Sequence, residues 1–215
     1  MGNKMTPKEF IAGTIKLYQD ARLPKFRNTK ISRGGAHIIA SAAEDLFALF
    51  LVDKIKTDHI YINQPMVIEG TKNKNQPDIA ILRKGKLVAF CDFKMHLNFN
   101  KKTNLPRTSE KQSRWLKAAR SKKCTFWVDE DKRSHIVSGR ATYDVVILGV
   151  GGINSRLLDQ QIKKAGKLNP PVKVFVLTSG HRPGGHKHKP KEILNSIGIN
   201  EKAFRELLIR LNQPK

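Results

Sequence analysis

From Ile79 to Leu82 and again from Leu87 to Cys91 the chain is apolar, and Arg83-Lys84-Gly85-Lys86 separates the two runs. Two strand-prone runs joined by a short polar turn with glycine at its apex predict a β-hairpin. The hairpin opens on Pro77-Asp78 and closes on Asp92-Phe93-Lys94. Strand side chains alternate faces, so Asp92 and Lys94 point one way and Phe93 the other. In antiparallel register Asp78 falls beside Asp92. Two carboxylates and an ammonium therefore meet at the open end. This set has two readings. Asp78 can cap the turn after Pro77 while Asp92 and Lys94 form a cross-strand surface ion pair. Alternatively, the carboxylates can hold a hard cation such as Mg²⁺, which takes oxygen ligands, with the lysine holding a phosphate or helping to activate water.

Charge weighs on that choice. Among 215 residues, Lys and Arg number 41 against 18 acids, a net charge of +23, which points to a polyanionic partner. The hydrophobic share, 39%, is enough for a core in one domain of ordinary size. No apolar run reaches the roughly 18 residues that a membrane span needs. The first residues lead into an amphipathic stretch, not the apolar segment of a secretion signal. Cys91 and Cys124 alone give neither a disulfide framework nor zinc spacing. The expected setting is the cytoplasm and the expected partner is nucleic acid.

Thr6-Pro7-Lys8-Glu9 has the form of a capping box with proline at the first helical position. Phe10, Ile11, Ile15, Leu17 and Tyr18 mark the apolar side of a helix to about Arg22, and residues 21–33 read as a loop. After Gly34-Gly35 comes the strongest helical pattern, residues 37–56, with Ile38, Ile39, Ala42, Ala43, Leu46, Phe47, Phe50 and Leu51 on its apolar side. Glu44 and Asp45 interrupt that side. Glu44 is either solvated and paired with lysines, or a third acid facing the hairpin carboxylates. Residues 61–69 read as one strand bent or edged at Pro65, and 70–76 as a polar turn.

Residues 95–123 hold nine Lys or Arg and one acid, Glu110. Residues 96–108 are too rich in Asn, Lys and Pro to predict regular structure. Residues 109–120 predict a helix with Trp115, Leu116 and Ala119 inward and a basic outer face, which is either simply solvated or set against a phosphate backbone. A short strand is expected at 125–128, a charged turn at 129–133 and a central buried strand at 143–150. A helix over 154–167 follows, with Leu157, Leu158, Gln161, Ile162 and Ala165 on its packing side, then a buried strand at 172–177. That order implies a right-handed parallel crossover. Residues 179–191 hold three histidines and four Lys or Arg with no acid. His186 and His188 have no cysteine or carboxylate beside them, so a basic loop folding against nucleic acid is preferred to a metal site. Asn200 is placed to cap a last helix at 201–211.

In combination these features resemble the PD-(D/E)XK nuclease superfamily. The helix bearing Glu44 is followed by a strand, by Pro77-Asp78, and after thirteen residues by Asp92-Phe93-Lys94, with a helix and further core strands behind. The resemblance covers about 34–177. It implies an α/β fold, a central mixed β-sheet flanked by helices, restriction-endonuclease-like. It also implies one nuclease domain over 1–215, with its core at about 34–178 and basic DNA-binding loops at about 95–123 and 179–191. The implied activity is hydrolysis of phosphodiester bonds in double-stranded DNA with Mg²⁺, for which Mn²⁺ can substitute. Asp78 and Asp92 would be metal ligands, joined by the Phe93 backbone carbonyl. Glu44 would assist through metal or water, and Lys94 would orient or activate the attacking water. Three acids so close would raise at least one carboxyl pKa.

A short chain without a helicase or ATPase module most resembles a type II restriction endonuclease, in a bacterial or archaeal cytoplasm, reading a sequence as a homodimer without any membrane partner. The Gln-x-x-x-Tyr signature of RecB-like members is incomplete, since Gln112 is followed four positions on by Leu116. DNA contacts are expected from Lys101, Lys102, Arg107, Lys111, Arg114, Arg182, His186 and Lys187. The rival readings are a structure-specific nuclease of the same superfamily, such as a Holliday-junction resolvase or repair endonuclease, and a non-catalytic nucleic-acid-binding protein.

Overall fold

The first helix starts as its capping box requires. In the computed structural model, which describes residues 4–21, 23, 38–96, 105–128, 130–149, 155–180 and 189–213, Thr6 Oγ1 accepts the Glu9 N–H at 3.2 Å. Glu9 Oε2 accepts the Thr6 N–H at 2.6 Å. Helix α1 (Pro7–Asp20) buries Phe10, Ile11 and Ile15. Helix α2 (Ala40–Val52) buries Ala43, Glu44, Phe47, Ala48, Phe50 and Leu51. It is shorter at both ends than the apolar periodicity over 37–56 predicts, and Ile38 is 93% exposed instead of packed.

The stretch 61–69 is two strands, not one. Strand β1 (His59–Ile62) pairs with the first hairpin strand, whereas β2 (Met66–Ile68) lies across the sheet. Asn63, in the left-handed region at φ 54°, and Pro65, which cannot donate to a ladder, carry the chain between them. The polar turn after β2 holds a short strand, β3 (Lys74–Asn75), which folds back on β2.

The hairpin follows as β4 (Ile79–Arg83) and β5 (Lys86–His96), antiparallel with Ile79 opposite Cys91. Lys84 and Gly85 both have positive φ, 49° and 70°, the geometry of the tight turns that match strand twist. Helix α3 (Leu105–Ala119) begins four residues before 109, because Pro106 fits a first helical turn, where its missing N–H costs nothing. Trp115, Leu116 and Ala119 are buried as expected.

Strand β6 (Lys123–Val128) leads into β7 (Asp131–Gly149), far longer than the expected 143–150. The first half of β7 is polar and open to water on one face, so it carries no apolar run to announce it. Between Leu87 and Ala89 of β5, β7 advances from Val137 to Thr142, a bulge of the kind that bends a strand. Helix α4 (Ser155–Gly166) packs with Leu158, Gln161 and Ala165, while Leu157 is 46% exposed, against expectation. Strand β8 (Val172–Val176) runs parallel to β7, so strand, helix and strand form the expected parallel crossover.

The stretch 179–191 is not a loop throughout. It starts inside β9 (Thr178–Gly180) and ends in α5 (Pro190–Ser196), and β9 pairs with β10 (Ile197–Ile199). Asn200 Oδ1 accepts the Ala203 N–H at 3.1 Å and caps α6 (Glu201–Asn212).

The architecture is α/β, a mixed sheet in the order β1-β4-β5-β7-β6-β2-β3, with β8 also on β7. One face packs on α1, α2, α5 and α6 around Phe10, Phe47, Phe93 and Phe204. The other packs on α3 and α4 around Phe90, Trp115, Phe126 and Tyr143. Sheet curvature brings Tyr61 of β1 to within 4.7 Å of the Phe126 ring of β6, four strands away. No helix among the described residues is long and apolar enough to cross a membrane.

Candidate functional site

Phe93 fixes the open end of the hairpin. Its ring stacks on Phe47 at 4.8 Å and lies 6.1 Å from Phe10, so β5 is anchored to α1 and α2 just where β4 stops pairing with it. A buried phenylalanine contributes about 1.5–3 kcal/mol by removal from water, and this one also sets which way its neighbours point. Asp92 and Lys94 are thereby turned to the opposite face.

Lys94 Nζ lies 3.4 Å from Asp78 Oδ2 and 3.9 Å from Asp92 Oδ2. Asp78 Oδ2 also accepts the Phe93 N–H at 2.7 Å. A strand residue sends its N–H and C=O to the same edge, so the Phe93 carbonyl lies on the edge that Asp78 occupies. The two aspartates and the lysine meet as the hairpin register predicts.

Asp92 is buried, and neutral donors hold both its oxygens. Oδ1 accepts the Tyr143 hydroxyl proton at 2.7 Å. Oδ2 accepts from Gln112 Nε2. Tyr143 Oη in turn accepts from Asn75 Nδ2 at 2.9 Å. The chain Asn75–Tyr143–Asp92–Gln112 thus draws on β3, β7, β5 and α3. Burial pushes the Asp92 carboxyl above the ordinary aspartate value; Lys94 opposes this, Asp78 adds to it, and the two hydrogen bonds pull it back. Burial likewise raises the Tyr143 hydroxyl well above the usual tyrosine value, and the Asp92 charge adds to that.

Glu44 enters from α2, on the Phe93 side of the sheet. It is buried, and its Oε2 has no partner among the described residues. Its pKa is raised, by burial first and by the Asp78 charge second, with Lys94 opposing. The direction expected for crowded acids is therefore met at Asp92 and Glu44, with desolvation, not mutual repulsion, as the leading cause.

Mg²⁺ uses one or two carboxylates and completes its shell with water and substrate phosphate. Among the described residues no three His, Cys, Asp or Glu side chains gather tightly enough to hold an ion by themselves. Asp78 and Asp92, which Lys94 joins, are oxygen donors of the kind a hard cation takes.

Of the expected DNA contacts, Arg107, Lys111 and Arg114 form one exposed stripe on α3 and with Thr108 line a pocket of about 380 Å³. The inner side of the same helix carries Gln112. Lys101, Lys102, Arg182, His186 and Lys187 lie outside the described residues.

Sequence reasoning missed Tyr143 and Asn75 as site residues and saw Gln112 only as half of an incomplete signature. A signal existed for Tyr143: a hydroxyl at the head of an otherwise apolar strand must find a partner when buried. Asn75, in a lysine-rich turn, gave none. No family model, curated protein or solved structure matches this chain.

Proposed function

We propose that the chain is a Mg²⁺-dependent endonuclease of the PD-(D/E)XK type that hydrolyses phosphodiester bonds of double-stranded DNA, most like a type II restriction enzyme. The observation that carries this reading is the meeting of Asp78, Asp92 and Lys94 at the hairpin end; the buried Glu44 carboxyl, whose pKa burial and then the Asp78 charge raise, supports it. The mixed sheet flanked by helices and the net charge of +23 support it.

Asp78, Asp92 and the Phe93 carbonyl would hold Mg²⁺, or Mn²⁺ in its place, with Glu44 reaching it directly or through water. When bound, the ion lowers the pKa of water and neutralises charge building on the phosphate. Lys94, whose ammonium bridges the two aspartates, would hold a phosphate oxygen or orient the attacking water. Tyr143 and Gln112 keep Asp92 in one orientation. Arg107, Lys111 and Arg114 hold the DNA backbone, and a palindromic target would be met by a two-fold dimer.

Digestion of plasmid DNA with Mg²⁺ tests the proposal. Discrete bands are expected from the native protein, and Asp92→Ala or Lys94→Ala should abolish cleavage while leaving DNA binding in place. A fully active Asp92→Ala variant would overturn the assignment. Cleavage of branched but not linear duplex would move it to a structure-specific nuclease. Binding indifferent to Mg²⁺ with no product would leave a binding protein.

A further inference from the structure

The ribbon made by β6 and the first half of β7 has two unlike faces. Its inner face carries Cys124, Phe126 and His135 against Tyr61, whose hydroxyl meets His135 Nε2 at 3.0 Å. Among the described residues nothing covers its outer face. There Trp127 stands opposite Lys132, and Ile136 stands between Lys123 and, on β5, Lys86. Lys74 joins the same face through Val67 and Thr125. Trp127 is 59% exposed and Ile136 41%, and all four lysines are exposed. Asp131 falls on the alternate row, opposite Val128, and its carboxylate is bound by Arg133 at 2.8 Å. Glu69, just beyond β2, borders the patch.

The exposed indole stands among four exposed lysines, the pairing of aromatic and cationic groups that nucleic-acid-binding surfaces use. Charge complementarity names the occupant as a polyanion. The aromatic narrows it further: bases in a duplex already have both faces stacked, so a protein ring can stack only on an unpaired one. We propose that this face binds a single-stranded stretch of nucleic acid. One unpaired base stacks on Trp127, and Lys132, Lys123 and Lys86 follow the phosphates, the combination of stacking platform and cationic track that single strands require. Register puts Trp127 about ten strand steps, roughly 30 Å, from Asp92. The surface is therefore separate from the carboxylate site, and the inference does not depend on cleavage there.

The chain's two tryptophans differ sharply in exposure, Trp115 at 2% and Trp127 at 59%, so fluorescence reads this face directly. The full chain is titrated in EDTA with oligothymidylate of about 20 nucleotides, which exceeds the span of one such platform. The long-wavelength emission of the exposed indole should be quenched. Measured by anisotropy of a dye-labelled oligothymidylate, Trp127→Ala should lose about tenfold in affinity, as expected for one stacked base, Trp127→Phe should recover most of it, and Lys132→Ala should weaken the dependence on salt. Inorganic polyphosphate should bind without the quench. Equal quenching by polyphosphate, native affinity in Trp127→Ala, or absence of oligonucleotide binding would each overturn the proposal. So would a change of Trp127 emission driven only by anionic phosphatidylserine vesicles, or by raising protein concentration alone.

Discussion

Asp92 is a carboxylate in a place that opposes charge. Burial raises its pKa, and Tyr143, Gln112 and Lys94 are what make an ionised form tenable there. Tyr143→Phe keeps the ring against Phe90 and Trp115 but removes the hydroxyl donor and leaves Asn75 Nδ2 without its acceptor. The cost in stability should be about 1–3 kcal/mol in urea unfolding. Under the proposed function, the Mg²⁺ concentration for half-maximal cleavage should rise about 10–100-fold, with DNA affinity unchanged. Glu44 gives a prediction of opposite sign for stability. Its folded pKa lies above the reference 4.5, so the folded state binds more protons than the unfolded one between the two values. Stability is full below the unfolded pKa and falls as pH rises through the folded pKa. Without metal, Glu44→Gln should therefore melt higher than the native chain at neutral pH, and the gap should close on acidification. A gap that widens toward low pH would refute this.

At the scale of elements, β7 is the strand on which both sides of the molecule depend. Tyr143 points to the α3 side and reaches the site. Asp144, the next residue, is fully buried and accepts from Arg210 Nε of α6 at 2.6 Å. One residue step thus ties the site on one face to the last helix on the other. Arg210→Met should destabilise the protein by about 3–5 kcal/mol, because it removes a cation that binds a fully buried carboxylate. Asp144→Leu added to Arg210→Met should recover much of that loss. Urea unfolding of the single and double variants distinguishes this from a surface pair, whose removal would cost under about 1 kcal/mol. If the proposed function holds, the cleavage rate per folded molecule should be unaffected, since Arg210 binds Asp144 and not Asp78 or Asp92.

Across the whole molecule the dominant quantity is the charge of +23. Helix α3 converts part of it into geometry: Arg107, Lys111 and Arg114 face water, while Gln112 on the inner side holds Asp92. Each phosphate contact to B-DNA contributes about 0.9 to the slope of log affinity against log salt. Replacing all three by alanine should lower that slope by about 2.7, measured by duplex binding in EDTA over a range of salt. An unchanged slope would mean that α3 does not touch the backbone.

Local chemistry made much of this legible in the amino-acid sequence. The capping box at Thr6, the hairpin turn at Lys84-Gly85, and the alternation that separates Asp92 and Lys94 from Phe93 depend on near neighbours, so composition and spacing were enough. The β7–α4–β8 crossover was legible too, because strands buried on both faces are written as apolar runs. What the sequence could not specify was set by distant partners. The polar half of β7 is a strand only because β5 and β6 pair with it. The stretch 61–69 splits because its two halves find opposite ends of the sheet. Asn75, Tyr143 and Gln112 converge on Asp92 only through three-dimensional packing. The two acids and the lysine were determined by the order of residues. The network that holds Asp92 in place belongs to the fold, because a buried carboxylate takes its partners from whichever elements packing brings beside it.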